Sequence, residues 1–170
     1  MKVFIENQRF NQWWLYLILA IPVISLIIPF ILKTEETLSR NNILEIVIPF
    51  LFLTIIYAFI FSIQLKTRID EKGVYYQFFP FNRKLKLILW DEIEKCHCRT
   101  YKPLLEYGGW GYRTTLRKGK ALNIKGNIGI QIIFKNGKKL LLGTQKQNEA
   151  KMVIETYKDK IIQSKSANSI

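Results

Sequence analysis

Apolar positions follow two regimes along this chain. Between Trp13 and Leu65 they come in long runs, and after Lys66 they alternate with polar residues over short distances. The first run is Trp13–Leu32 (WWLYLILAIPVISLIIPFIL) and the second is residues 46–65 (IVIPFLFLTIIYAFIFSIQL); neither holds a charged side chain. Each is 20 residues long, and a helix of that length spans about 30 Å, the thickness of a bilayer's hydrocarbon core. The pattern predicts a transmembrane helical hairpin within residues 1–65, with spans at about 13–32 and 46–65. Trp13, Trp14 and Tyr16 are its expected membrane-interface anchors. The length of the first run, the missing small-x-small cleavage site and the second run all argue against a cleaved secretory signal.

Beyond the hairpin the period changes to two. Residues 66–70, 74–79 (VYYQFF), 83–89, 94–101, 112–116, 121–125, 129–135 and 138–142 read as short strands. In 83–89, Leu85, Leu87 and Leu89 are expected on one face, opposite Lys84 and Lys86. In 129–135, Ile130, Ile132 and Phe134 are expected inward. Trp90-Asp91-Glu92-Ile93 reads as a tight helical turn, and Asn136-Gly137 as a type I′ hairpin turn. A closing helix is expected over about 145–163, with Ala150, Val153, Ile154, Tyr157 and Ile161 on one face and a T-x-x-Q capping box at Thr144 and Gln147. A polar tail, 164–170, follows. The domain organisation is then hairpin 1–65, β domain with C-terminal helix 66–163, and tail.

Charge sharpens this division. The chain carries a net +13, and residues 1–65 balance Lys2, Arg9, Lys33 and Arg40 against Glu6, Glu35, Glu36 and Glu45, so the whole excess falls on the rest. Only Lys33 and Arg40 lie in the loop between the runs. Lys2, Arg9, Lys66, Arg68, Lys72, Arg83 and Lys84 flank the outer ends. The positive-inside bias places both termini in the cytoplasm of a multi-pass inner-membrane protein. The runs contain Pro22, Pro29 and Pro49 but no ionisable Asp, Glu, Lys, Arg or His, which suits an anchor or assembly surface better than an ion pathway.

Some eight short antiparallel strands and one amphipathic helix predict an α+β chain: the two-helix hairpin plus a small antiparallel β-barrel or sandwich capped by the helix. Specific stretches carry a further likeness: Gly73-Val74-Tyr75-Tyr76, Phe79-Pro80-Phe81, Trp90-Asp91-Glu92-Ile93-Glu94 and Arg99-Thr100-Tyr101-Lys102-Pro103. It continues through Glu106-Tyr107-Gly108-Gly109-Trp110-Gly111, Gly126-Asn127-Ile128-Gly129-Ile130 and Leu142-Gly143-Thr144-Gln145. With the hairpin, these resemble the bacterial membrane proteins that carry a pleckstrin-homology (PH)-like domain. The resemblance implies a PH-like fold, with phosphate-binding basic residues near an early hairpin, and no particular activity.

Candidate chemistry is sparse. Two basic clusters, Arg83, Lys84 and Lys86, and Arg113, Arg117, Lys118 and Lys120, are candidate contacts for anionic lipid headgroups or a partner; the plainer reading is a solvated edge that discourages strand aggregation. Trp110, among Gly108, Gly109 and Gly111, either inserts into an interface, fills a partner's pocket or plugs the domain's own core. Cys96-His97-Cys98 lacks a fourth ligand and a second cluster, so no metal and no cofactor are expected. Adjacent alternate positions on a strand lie nearly 7 Å apart, the far edge of disulfide reach. No catalytic triad, phosphate loop or dinucleotide fingerprint occurs, so no enzyme is expected, and nucleic acid is disfavoured as a partner. The expected role is a membrane-anchored binding or scaffolding module acting on anionic headgroups, a membrane-protein partner or a second copy. The rival is a structural accessory subunit of a larger membrane complex.

Overall fold

A computed structural model describes residues 2–11, 13–32 and 40–161. The chain divides into two compact units, Met1–Arg9 with Ile63–Ile170, and Phe10–Ser62.

The first unit opens with a strand that no apolar pattern announces. β1, Phe4–Arg9, pairs antiparallel with β2, Gln64–Ile69, setting Phe4 opposite Ile69 and Arg9 opposite Gln64. Its inward face carries Phe4, Glu6 and Gln8, and two of these three are polar, which hides the period of two. Hydrogen bonds offset much of the cost of burying this pair, although the Gln8 Oε1 oxygen has no partner among the described residues. The Glu6 carboxylate accepts from the Thr144 hydroxyl at 2.6 Å and the Gln145 N–H at 2.8 Å, and the Gln8 amide donates to the Gly143 carbonyl at 2.7 Å. Residues Phe4–Arg9, part of the hairpin's tail in the sequence reading, thus form an edge of the sheet.

β3 (Gly73–Phe79) and β4 (Lys86–Leu89) complete a four-stranded antiparallel sheet in the order β1-β2-β3-β4. A 3₁₀ turn, Trp90–Glu92, leads into β5 (Ile93–Thr100), and a short helix α3 (Pro103–Tyr107) separates β5 from β6 (Gly111–Thr115). β7 (Gly119–Asn123), β8 (Ile128–Phe134) and β9 (Lys139–Gly143) follow, and the second sheet is ordered β5-β8-β9-β7-β6. The closing helix α4, Gln147–Thr156, packs on β1, β2, β5 and β8. Ala150, Val153, Ile154, Tyr157 and Ile161 are buried, as their helical spacing predicts. Leu65, Ile69, Val74, Phe78, Ile93, Ile130 and Ile132 are among the side chains with no exposed surface, each worth about 1.5–3 kcal/mol of burial.

Several expectations are corrected. Among the described residues both sheets are open and no closed barrel forms. The second sheet is also mixed, not antiparallel throughout: β7 runs parallel to β9, with Lys120 beside Leu140 and Leu122 beside Leu142. Parallel neighbours need a crossover, so an all-antiparallel barrel of sequential hairpins is ruled out for these strands. β4 keeps the expected alternation, with the leucines on the face opposite Lys86, but the buried face is the one that carries Lys86: Ile88 is buried opposite Val74, and Leu85, Leu87 and Leu89 are exposed. The Asn136-Gly137 turn is not type I′, since only Gly137 has positive φ. Gly137 N–H bonds the Phe134 carbonyl and Phe134 N–H bonds the Lys138 carbonyl, a type I turn closed by a left-handed glycine. The capping box does not form: Lys146 occupies the cap without a side-chain bond, and Thr144 is engaged by Glu6 and the Lys146 N–H.

The second unit contains α1 (Trp13–Leu32) and α2 (Arg40–Ser62). Tyr16 stacks on Phe61 with ring centres 5.7 Å apart, and the Tyr57 hydroxyl donates to the Leu19 carbonyl. Among the described residues no helix is long and apolar enough to cross a membrane. The transmembrane hairpin, the integral two-span membrane partnership and the multi-pass inner-membrane location with cytoplasmic termini are corrected on this finding. Trp13 and Tyr16, the described pair of the three expected interface anchors, are exposed on α1. The Trp14 side chain, the loop 33–39 and the tail 164–170 lie outside the described residues.

Candidate functional site

The parallel pairing of β7 with β9 has a chemical consequence. Each strand is entered from a turn, 116–118 before β7 and 135–138 before β9. Because the two strands are parallel neighbours, both turns lie at the same end of the sheet. Gly119 lets them approach closely. Its φ is +77°, and a Cβ there would fall 2.3 Å from the Lys139 carbonyl oxygen, so any side chain would wedge the turns apart.

Between the turns lies an open cleft of about 520 Å³, lined by Thr114, Leu116, Arg117, Gly119 and Lys120 on one side and residues 136–139 (Asn136, Gly137, Lys138, Lys139) on the other. Four of these side chains are cationic and none is a carboxylate. Arg117, Lys138 and Lys139 make no ion pair among the described residues. The Lys120 ammonium sits 4.2 Å from the centre of the Tyr112 ring, a cation–π contact that orients the charge without neutralising it. Lys138 and Lys139 were not singled out by the sequence; they look like any basic strand entry until β9 is set beside β7.

The other basic residues named from the sequence are placed differently. Arg113 donates to the Trp110 carbonyl, and the Lys118 ammonium lies 4.0 Å from a Glu106 oxygen, so both are drawn toward the α3 loop. Arg83 and Lys84 are exposed on the β3–β4 connection, and Lys86 is exposed at the start of β4. That connection packs against β6 through Phe81 and Tyr112, whose rings lie 5.3 Å apart. Tyr112 therefore touches both the early connection and Lys120. Trp110 is half-buried and its indole N–H donates to the Gly126 carbonyl at 2.9 Å. Gly108 closes α3, and the Gly111 N–H donates to the Asn123 side chain.

The α3 side of the β6–β7 hairpin is held by a network with no sequence signature, because its members are brought together only by the fold. Arg99 Nη1 and Nη2 donate to the two Glu106 oxygens at 3.2 and 2.8 Å, its Nε donates to Gln131 Oε1 at 3.0 Å, and Nη2 also reaches the Tyr107 hydroxyl at 3.3 Å. The Lys102 N–H donates to Glu106 as well, and Asn123 donates to the Tyr101 hydroxyl at 2.7 Å. The Arg99 hydrogen bonds hold the Glu106 carboxyl below the usual carboxylate range, and burial pushes the Tyr101 and Tyr107 hydroxyls up. Tyr101, Tyr107, Ala121 and Leu141 form a buried cluster beneath.

Burial also pushes up the thiols of Cys96 and Cys98, opposing any nucleophilic use. Among the described residues no group of His, Cys, Asp and Glu could hold a metal ion. No family model matches the chain, and no curated protein or solved structure matches it either.

Proposed function

We propose that this protein is a binding or scaffolding module, not an enzyme, whose basic β unit takes an anionic partner at the turn end of the second sheet. The observation that carries the reading is that four cationic residues from two neighbouring turns and strand starts line one cleft whose lining holds no carboxylate. Like charges gathered this way repel one another, and a bound anion relieves that cost. The sequence excess of +13 adds long-range attraction for any polyanion, so a test must separate local from diffuse binding. Elution of the full chain from immobilised heparin against salt does this. R117E/K120E should lower the eluting salt clearly more than K84E/K86E, which makes the same change in net charge on the other cluster. Equal shifts would mean that charge binds anywhere on the unit, and the proposal would fail.

A further inference from the structure

We infer that the cleft between the β6–β7 and β8–β9 turns is a site for one compact anion bearing two or three phosphoryl groups; this rests on the reading of that sheet end as an anion-binding surface and names the ligand class. Charge selects the class. A phosphoryl group carries about −1.5 to −2 at neutral pH, so two of them balance Arg117, Lys120, Lys138 and Lys139, whereas a carboxylate or a chloride balances one.

Size agrees. A space of about 520 Å³ falls in the range of small-ligand sites, about 300–1,000 Å³, and exceeds what a single phosphate fills. The donors agree as well. Arg117 offers a planar fork that matches two phosphate oxygens, and the lysines act as point charges that tolerate several phosphoryl arrangements. Their charges are not already spent, since Arg117, Lys138 and Lys139 lack ion pairs among the described residues. Lys120 is set by the Tyr112 ring. Gly119 maintains the spacing by keeping β7 against the Lys139 backbone.

The test is calorimetric titration of the full chain with sodium tripolyphosphate at about 0.15 M ionic strength, with sodium sulfate at matched ionic strength for comparison. One saturable site per chain is expected, with sulfate weaker by about tenfold or more. R117Q and K138Q should each weaken tripolyphosphate about tenfold, and K84Q/K86Q should leave it within about twofold. A second arm reads the source of the phosphoryl groups, using vesicles whose lipids carry phosphomonoester headgroups. Cleft-dependent binding of soluble tripolyphosphate assigns a free anion. Binding of the vesicles alone, lost in R117Q and K138Q, keeps the phosphoryl class and assigns it to a headgroup. Absence of saturable binding in both arms, or equal weakening by K84Q/K86Q, overturns the inference. If the heparin difference between R117E/K120E and K84E/K86E persists in that case, the broader function stands and only the ligand class is lost.

Discussion

The β6–β7 hairpin has two sides with opposite electrostatic bookkeeping. Toward α3, Arg99 and Lys118 find partners inside the fold: Arg99 meets Glu106, Gln131 and Tyr107, and Lys118 lies near Glu106. Toward the β8–β9 turn, four cations face a cleft with no carboxylate in its lining. The contrast separates charge that builds the fold from charge left over for a partner. Paired groups that are also hydrogen-bonded are destabilising to break. Unpaired surface cations are nearly free to remove, and matter only when an anion arrives.

Four experiments bear on this contrast. The largest effect is expected from Arg99→Met, which strands the Glu106 carboxylate, the Gln131 oxygen and the Tyr107 hydroxyl together. Denaturant unfolding should show a loss of about 2–4 kcal/mol. A loss within about 0.5 kcal/mol, the range of an ordinary surface substitution, would show that the α3 side is no better built than the cleft side.

Next comes Gly119→Ala. The new Cβ meets the Lys139 carbonyl oxygen in a left-handed backbone conformation, and a cost of about 1–3 kcal/mol is expected. Amide hydrogen exchange should quicken at the β7–β9 pairing while the α3 network keeps its protection.

The third experiment uses pH. The folded pKa of Glu106 is depressed, so its contribution is present above the unfolded value of about 4.3. It is lost as pH falls through the folded value, where the unfolded chain has already taken up its proton. Acid unfolding of the native chain should therefore steepen below about pH 4.3, and Arg99→Met should flatten that portion of the curve. Parallel curves would remove Glu106 as a contributor.

The smallest effect should have the opposite sign. K138Q/K139Q lowers cation repulsion at the cleft and should leave stability unchanged or raised by at most about 0.5 kcal/mol, even as it weakens anion binding. A loss of more than about 1 kcal/mol would mean that these lysines are structural.

How much of this could be read in the sequence depends on whether a residue's role is set by its neighbours along the chain. The face of α4 was legible because Ala150, Val153, Ile154 and Tyr157 repeat at helical spacing and all bury. The 3₁₀ turn at Trp90–Glu92 and the hairpin at Asn136-Gly137 were legible as local turns, though the turn type was not. β1 was hidden because its inward residues Glu6 and Gln8 are polar and find their partners at residues 143–145, at the other end of the chain. In β4 the alternation of leucines and lysines was legible, but which face is buried was set by the pairing of Ile88 with Val74. The apolar runs in α1 and α2 promised two spans, and no described helix meets that requirement.

The sequence alone determined that a basic, strand-rich unit ends in an amphipathic helix, and that two clusters of cations lie near turns. Composition and period suffice for that, because alternation and helical spacing are local properties of the chain. Only the tertiary structure decided which cations act together. Arg117 and Lys120 were visible as one cluster, but Lys138 and Lys139 join them solely because β7 lies parallel to β9, with Gly119 letting the two backbones touch. The same folding step withdrew Lys118 toward Glu106 and Arg113 toward the Trp110 carbonyl. Strand order is set by contacts between residues far apart in sequence, and no local pattern encodes it.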